Sequence, residues 1–163
     1  NGQNVRYKEK QNGKTKKKKE VECMIIAIIS GALMSIQGIF NTKVTETTGV
    51  WTANAFVQFT ALLVCLGAWA TVERNSFATI LQVQPKYMLL GGAMGAAITW
   101  TVIQSMKTLG PAQAVMFIVV AQIIVAYLIE LIGLFGVEKQ DFSVKKLIGA
   151  VVAIVGIILI KWE

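Results

Sequence analysis

The stretch AQAVMFIVVAQIIVAYLIELIGLF, residues 112–135, decides the fold. It contains a single charged residue, Glu130, and is otherwise apolar enough to sit in hydrocarbon. A helix rises 1.5 Å per residue, so ~20 residues cross a ~30 Å bilayer core. Four further runs have the same character: 24–44, 51–72, 87–106 and 144–162. Each holds ~19 to ~25 residues, the length of one crossing. In lipid only helices and closed barrels satisfy their backbone polar groups. No ten-residue alternation of polar and apolar positions is present, so the runs are helices. The expected fold is all-α: a polytopic membrane protein with a bundle of five transmembrane helices over 24–163. Residues 1–23 precede it as a basic cytoplasmic tail expected to be disordered.

Composition excludes several function classes. Hydrophobic residues make up 55% of the chain and charged residues 15%, with mean hydropathy +0.60. That leaves no stretch for a soluble catalytic domain. The net charge of +7 is concentrated in the tail, which carries Arg6, Lys8, Lys10, Lys14, Lys16, Lys17, Lys18 and Lys19. The tail has no aromatic interleaving beyond Tyr7, so a nucleic-acid partner is not expected. A basic segment beside a membrane helix instead sits on anionic headgroups. There is no His, and Cys23 and Cys65 form no CxxC pair, so no metal or haem ligand set exists. No GxxxxGK[ST] loop is present, and no cofactor is expected. Without His, paired intramembrane carboxylates or a nucleophile–base pair, an enzyme is not expected either. The first run is read as a retained helix rather than a cleaved leader, since Gln37 and Asn41 interrupt it. The chain opens at Asn1 rather than Met, as a part of a longer protein would.

Lys and Arg accumulate on the cytoplasmic side of short loops. With the tail inside, the inner segments also hold Arg74, Lys86, Lys139, Lys145 and Lys146, and the outer segments hold Lys43, Lys107 and Lys161. The expected orientation is N-terminus cytoplasmic and C-terminus external. Segments 45–50 and 107–111 are then outer loops, and 73–86 and 136–143 inner ones. A short interfacial helix is expected around Phe77, Ile80 and Leu81.

Within lipid, helices associate through close backbone approach at small residues and through interhelical hydrogen bonds. The helix-interface candidates are Gly31 and Ser35 in the first helix, with Gly38 on the same stretch. Gly91 and Gly95 supply the third helix, and Gly149 and Gly156 the fifth. Polar groups in hydrocarbon are costly and mark pathways. Gln37 and Asn41 share one face of the first helix, and Asn54 and Gln58 one face of the second. By helical rise, Gln37 lies ~20 Å from the inner end and Gln58 ~10 Å from the outer end. In a ~30 Å core these are nearly one level. Gln104 and Gln122 add amides from the third and fourth helices, and Trp100 an aromatic wall. These seven residues are the candidates for a substrate pathway. The other reading is that the amides only bond helix to helix. Glu130, near the inner end of the fourth helix and within reach of water or Lys139, is the candidate for coupling or gating; the other reading is a structural or snorkelling role.

The segments GALMSIQGIFNTKV (31–44), GGAMGA (91–96), LGPAQA (109–114), AQIIVAYLIELIGLFG (121–136) and KKLIGAVVAIVGIILI (145–160) are similar in order and spacing to the drug/metabolite transporter superfamily. Within it the chain resembles the small YdcZ-like group. The resemblance implies one five-helix repeat of a transporter in a bacterial-type inner membrane. It implies a second, inverted repeat as partner, whether an oppositely oriented paralogue, a homodimer mate or a fused half. It implies alternating access for a small organic molecule; a non-transporting assembly or regulatory subunit is the other expectation. The small multidrug-resistance members carry a Glu in the first helix where this chain has Gln37, so their proton exchange does not carry over.

Overall fold

The computed structural model describes the backbone of residues 2–161, with side chains for residues 15–156 and Leu159. Trp162 and Glu163, the end of the fifth expected span, lie outside the described residues. The chain divides into two compact units, residues 1–37 and 38–163.

The first unit is helical. Helix α1 runs Gly2–Thr48, so residues 2–23 are helix where a disordered tail was expected. The physical reason is propagation. A long apolar span supplies the nucleus, and each further residue adds one hydrogen bond for one residue fixed. Lys, Glu and Gln lose little rotamer freedom in a helix and extend it readily. The exposed Lys18–Glu22 pair at 3.9 Å adds little. Ser30 and Ser35 donate to the carbonyls of Ile26 and Gly31, 3.0 and 3.2 Å away, so each hydroxyl is satisfied within its own helix.

In the second unit the end of α1 is followed by α2 (Val50–Ala68), α3 (Gly91–Leu109), α4 (Pro111–Ile132) and α5 (Val144–Lys161). Among the described residues there is no strand, and four helical segments are long and apolar enough to cross a membrane: Thr15–Thr48, Val50–Glu73, Lys86–Leu109 and Pro111–Ile132. The chain is an all-α polytopic membrane protein, as expected.

Two expected loops collapse to single glycines. Gly49 (φ 84°, ψ 159°) joins α1 to α2, and Gly110 (φ 81°, ψ 160°) joins α3 to α4. Both conformations lie in a region essentially open only to glycine. Each corner is closed by the same bonds. Gly49 N–H donates to Thr45 O and Ala53 N–H to Gly49 O; Gly110 N–H donates to Met106 O and Ala114 N–H to Gly110 O. Pro111 follows its corner at the first helical position, where no N–H is needed. Thr45 and Thr48 keep α1 helical to its end by donating to Thr42 O and Val44 O.

The connections at the other end are irregular. A π-turn, Trp69–Glu73, extends α2 and ends at Arg74 in the left-handed region. A 3-10 turn, Phe77–Gln82, occupies the place of the expected interfacial helix, capped by Ser76. Trp69 donates to Asn75 O and packs on Phe77 with ring centroids 4.7 Å apart. Helix α4 ends at Ile132 rather than 135, because Gly133 (φ 74°) breaks the helix; Phe135 (φ 57°) follows in the 3-10 turn Leu134–Gly136.

Burial is confined to the corner end. The buried residues among those described are Gly38, Asn41, Thr45, Ala53, Asn54, Ile103, Met106 and Ala114. All lie within about three turns of Gly49 or Gly110. Residues four before each corner (Thr45, Met106) and four after it (Ala53, Ala114) are buried alike. Towards the other end the same helices expose large side chains such as Val64, Leu128 and Ile132.

Candidate functional site

Asn54 sits one turn into α2, just past the Gly49 corner. Its Nδ2 donates to the carbonyl oxygen of Ala96 on α3 at 2.8 Å. The residue is 2% exposed, and its Oδ1 is buried with no hydrogen-bond partner among the described residues. One turn further, Gln58 Nε2 approaches Thr99 Oγ1 at 3.4 Å, a long contact. Thr99 Oγ1 donates to Gly95 O at 3.0 Å, leaving its lone pairs to accept from Gln58. A Cβ on Gly95 would meet Gln58 Nε2 at 3.9 Å, an ordinary contact. Trp51 and Trp100 stack with centroids 6.2 Å apart and planes 16° from parallel. Together these pairs bind α2 to α3 by a ladder of polar and aromatic contacts. In lipid each such hydrogen bond contributes ~0.6 kcal/mol.

On α1, Asn41 and Thr45 are buried. Gly38 meets α3 closely: a Cβ there would lie 2.5 Å from Met106 Cε and 3.4 Å from Val102 Cγ1. The small residue at 38 thus makes room for a methionine of the third helix, the use expected of glycines in membrane helix contacts. The other interface candidates behave differently. A Cβ on Gly31, Gly91, Gly149 or Gly156 would meet nothing within 4 Å.

The structure therefore gathers four of the seven pathway candidates at the corner end: Asn41, Asn54, Gln58 and Trp100. Gln104 and Gln122 are exposed on the unit's surface. Gln37 belongs to the first unit and is exposed. Trp51 and Thr45 complete the cluster and were not singled out from sequence. The signal for Trp51 was its place at the start of a span, where indole rings favour the membrane interface.

Glu130 lies far from this cluster, near the opposite end of α4. Its partner is Lys146, with Nζ 2.5 Å from Oε2, rather than Lys139. Lys139 instead packs its Cβ against Gly133, and the neighbouring Gln140 N–H donates to Glu130 O at 2.9 Å. Lys146 Nζ also stands 5.7 Å from the centre of the Tyr127 ring. The Tyr127 hydroxyl accepts from Ser143 N–H (3.0 Å) and donates to Ser143 O (3.2 Å). Between α4 and α5 a cleft of about 660 Å³ opens beside this ion pair, walled by residues such as Ile123, Leu128, Leu147 and Ala150. The cleft lies not among the amides but at the opposite end of α4, beside the Glu130–Lys146 pair. Among the described residues no group of three or more Cys, Asp or Glu side chains could hold a metal ion.

Residues 23–159 match the family model DMT_YdcZ, described as "Putative inner membrane exporter, YdcZ". No curated protein and no solved structure matches the chain. The matched region takes in all of α2, α3 and α4 and the packed cluster at the two glycine corners. The chain belongs to the YdcZ family of drug/metabolite-transporter-type membrane exporters.

Proposed function

We propose that the chain is one half of a secondary carrier exporting a small organic molecule by alternating access. The observation that carries this reading is the one-sided packing of the second unit: every buried residue among those described lies at the corner end, and the spans are loose at the other. A carrier caught open to one side needs that asymmetry, since the site must be closed to one compartment while open to the other. With the N-terminus cytoplasmic and the C-terminus external, the closed end faces outward. The second half is an oppositely oriented five-helix repeat, which covers the exposed amides of Gln104 and Gln122 and spares them contact with acyl chains. Asn41, Asn54, Gln58 and Trp100, with Gln104 and Gln122, line the pathway between halves. Glu130 lies off this path, and a gating role for it would act through α5. A non-transporting assembly subunit is the second reading. It is favoured by the contacts that already engage the Asn54 and Gln58 amides on α3.

Growth of cells expressing the chain, on a panel of toxic amines, dyes and amino-acid analogues, tests the proposal. Expression should raise tolerance to at least one compound. Gln104→Leu with Gln122→Leu should abolish the gain at unchanged abundance. A gain that survives both substitutions, or no gain across the panel, overturns the carrier reading. In a background lacking Cys23 and Cys65, cysteines at 104 and 122 should cross-link to a second copy or a paralogue. Labelling by lipid-soluble maleimide without any cross-link removes the second repeat from these faces.

A further inference from the structure

The α4–α5 cleft combines features that the transport reading does not use. It is long and apolar, and it opens on the surface that the membrane bathes. One ion pair, Glu130–Lys146, stands at its end, within the last turn of α4 and the first turn of α5. That places the charges at the headgroup level of a spanning segment, with the cleft running back along Ile123 and Ala150 into the hydrocarbon. The pair is not sealed. The Lys146 and Glu130 side chains are 48% and 39% exposed, so each retains surface for a second partner. Tyr127 adds an aromatic face already occupied by an ammonium group, that of Lys146.

From this we infer that the cleft holds a zwitterionic phospholipid. Its ammonium lies against the Glu130 carboxylate, its phosphate against Lys146, and one acyl chain fills the apolar cleft. The selection rests on charge complementarity. An anionic lipid satisfies Lys146 but faces the Glu130 carboxylate; a lipophilic cation satisfies Glu130 but faces Lys146. Glu130 and Lys146 already neutralise one another, so a ligand with a single charge leaves one of them facing a like charge, whereas a ligand carrying both charges meets each group with its opposite. Glu130 and Lys146 are the charged residues among those that line the cleft, and the segment leading into α5 carries Glu138 and Asp141 against Lys139 and Lys145. The bound lipid bridges α4 and α5 beside their direct contacts, Glu130–Lys146 and Tyr127–Ser143. Tyr127, locked to Ser143 through its hydroxyl, fixes the near end of the site.

Native mass spectrometry of the purified full chain tests the site, with palmitoyl-oleoyl phosphatidylethanolamine and phosphatidylglycerol as competing probes. Wild type should retain one ethanolamine lipid about tenfold better than the glycerol lipid, the size of one charge-assisted contact. Glu130→Gln should invert the preference, because Lys146 then stands alone. Gly149→Leu should lose the adduct: a Cβ at 149 meets open space, so the larger side chain extends into the cleft without clash. A thermal melt of each variant checks that it is folded. Equal retention of the two lipids by wild type overturns the inference. So does a preference unmoved by Glu130→Gln, an adduct that survives Gly149→Leu, or tetraphenylphosphonium retained in place of the ethanolamine lipid.

Discussion

The two ends of the second unit are built on different principles. At one end, pairs of helices meet at single glycines, and every buried residue described lies there. The buried side chains are uncharged, and contacts are specific: Gly38 under Met106, Asn54 on Ala96, Trp51 on Trp100. At the other end the connections are π- and 3-10 turns, nothing described is buried, and the helices are joined by an ion pair beside a cleft. Helix association in lipid follows from backbone proximity, not from apolar area. The corner end achieves that proximity and the open end does not. The difference teaches where stability and where adaptability reside within one unit.

Substitutions can break that contrast, and the corners should respond most. Gly110→Ala and Gly49→Ala each place a side chain at a positive φ with extended ψ and should cost ~1–3 kcal/mol. Stability is read by unfolding in mixed micelles. The two losses should add, as losses at separate sites do. A cost below a few tenths at either corner means the glycine turn is dispensable. Gly38→Val comes next: it drives a branched side chain into Met106 and should cost ~1–3 kcal/mol of overpacking. Met106→Ala in the same protein should recover much of that loss. Recovery distinguishes a clash from a lost helix propensity, which a change at Met106 would leave in place.

Asn54→Leu should move stability the other way. The substitution gives up one bond worth ~0.6 kcal/mol. It also removes a buried acceptor whose lack of a partner costs ~1–3 kcal/mol. A variant that is more stable but transports less would mark Asn54 as retained for function; a large destabilisation would mean that Oδ1 is satisfied in the membrane-embedded protein. The smallest effect belongs to the open end. A double-mutant cycle of Glu130→Gln and Lys146→Gln should return only ~0.2–1 kcal/mol, weakening with salt, because both side chains are more than a third exposed. A coupling of several kcal/mol would make the open end as rigid as the corner end.

Much of this contrast could be read from the sequence, and part could not. Apolar run length located the spans, since lipid thickness is a one-dimensional constraint. It did not locate helix ends. The tail is helical because helix propagates from the span, and α4 stops early because of a backbone conformation at Gly133. Depth along the spans set Gln58 level with Gln37 of the first helix, but it did not select the α3 partners, Ala96 and Thr99, that Asn54 and Gln58 reach. That Gln104 and Gln122 stay on the surface depends on helix rotation, which a hydropathy pattern leaves undetermined when polar residues are few. The Glu130–Lys146 pair spans an irregular turn, so its register came from the path of residues 133–143 and not from spacing. That is why Lys139, nearer in sequence, was the expected partner.

The single-glycine joints also restrict motion. With no slack between α1 and α2, or between α3 and α4, neither helix of a pair can slide along its mate without breaking the corner bonds. A rearrangement within the second unit would therefore pivot about Gly49 and Gly110, small at the joints and larger away from them. A hairpin such as α3–α4 would open like tongs, its reach growing with the length of the blades.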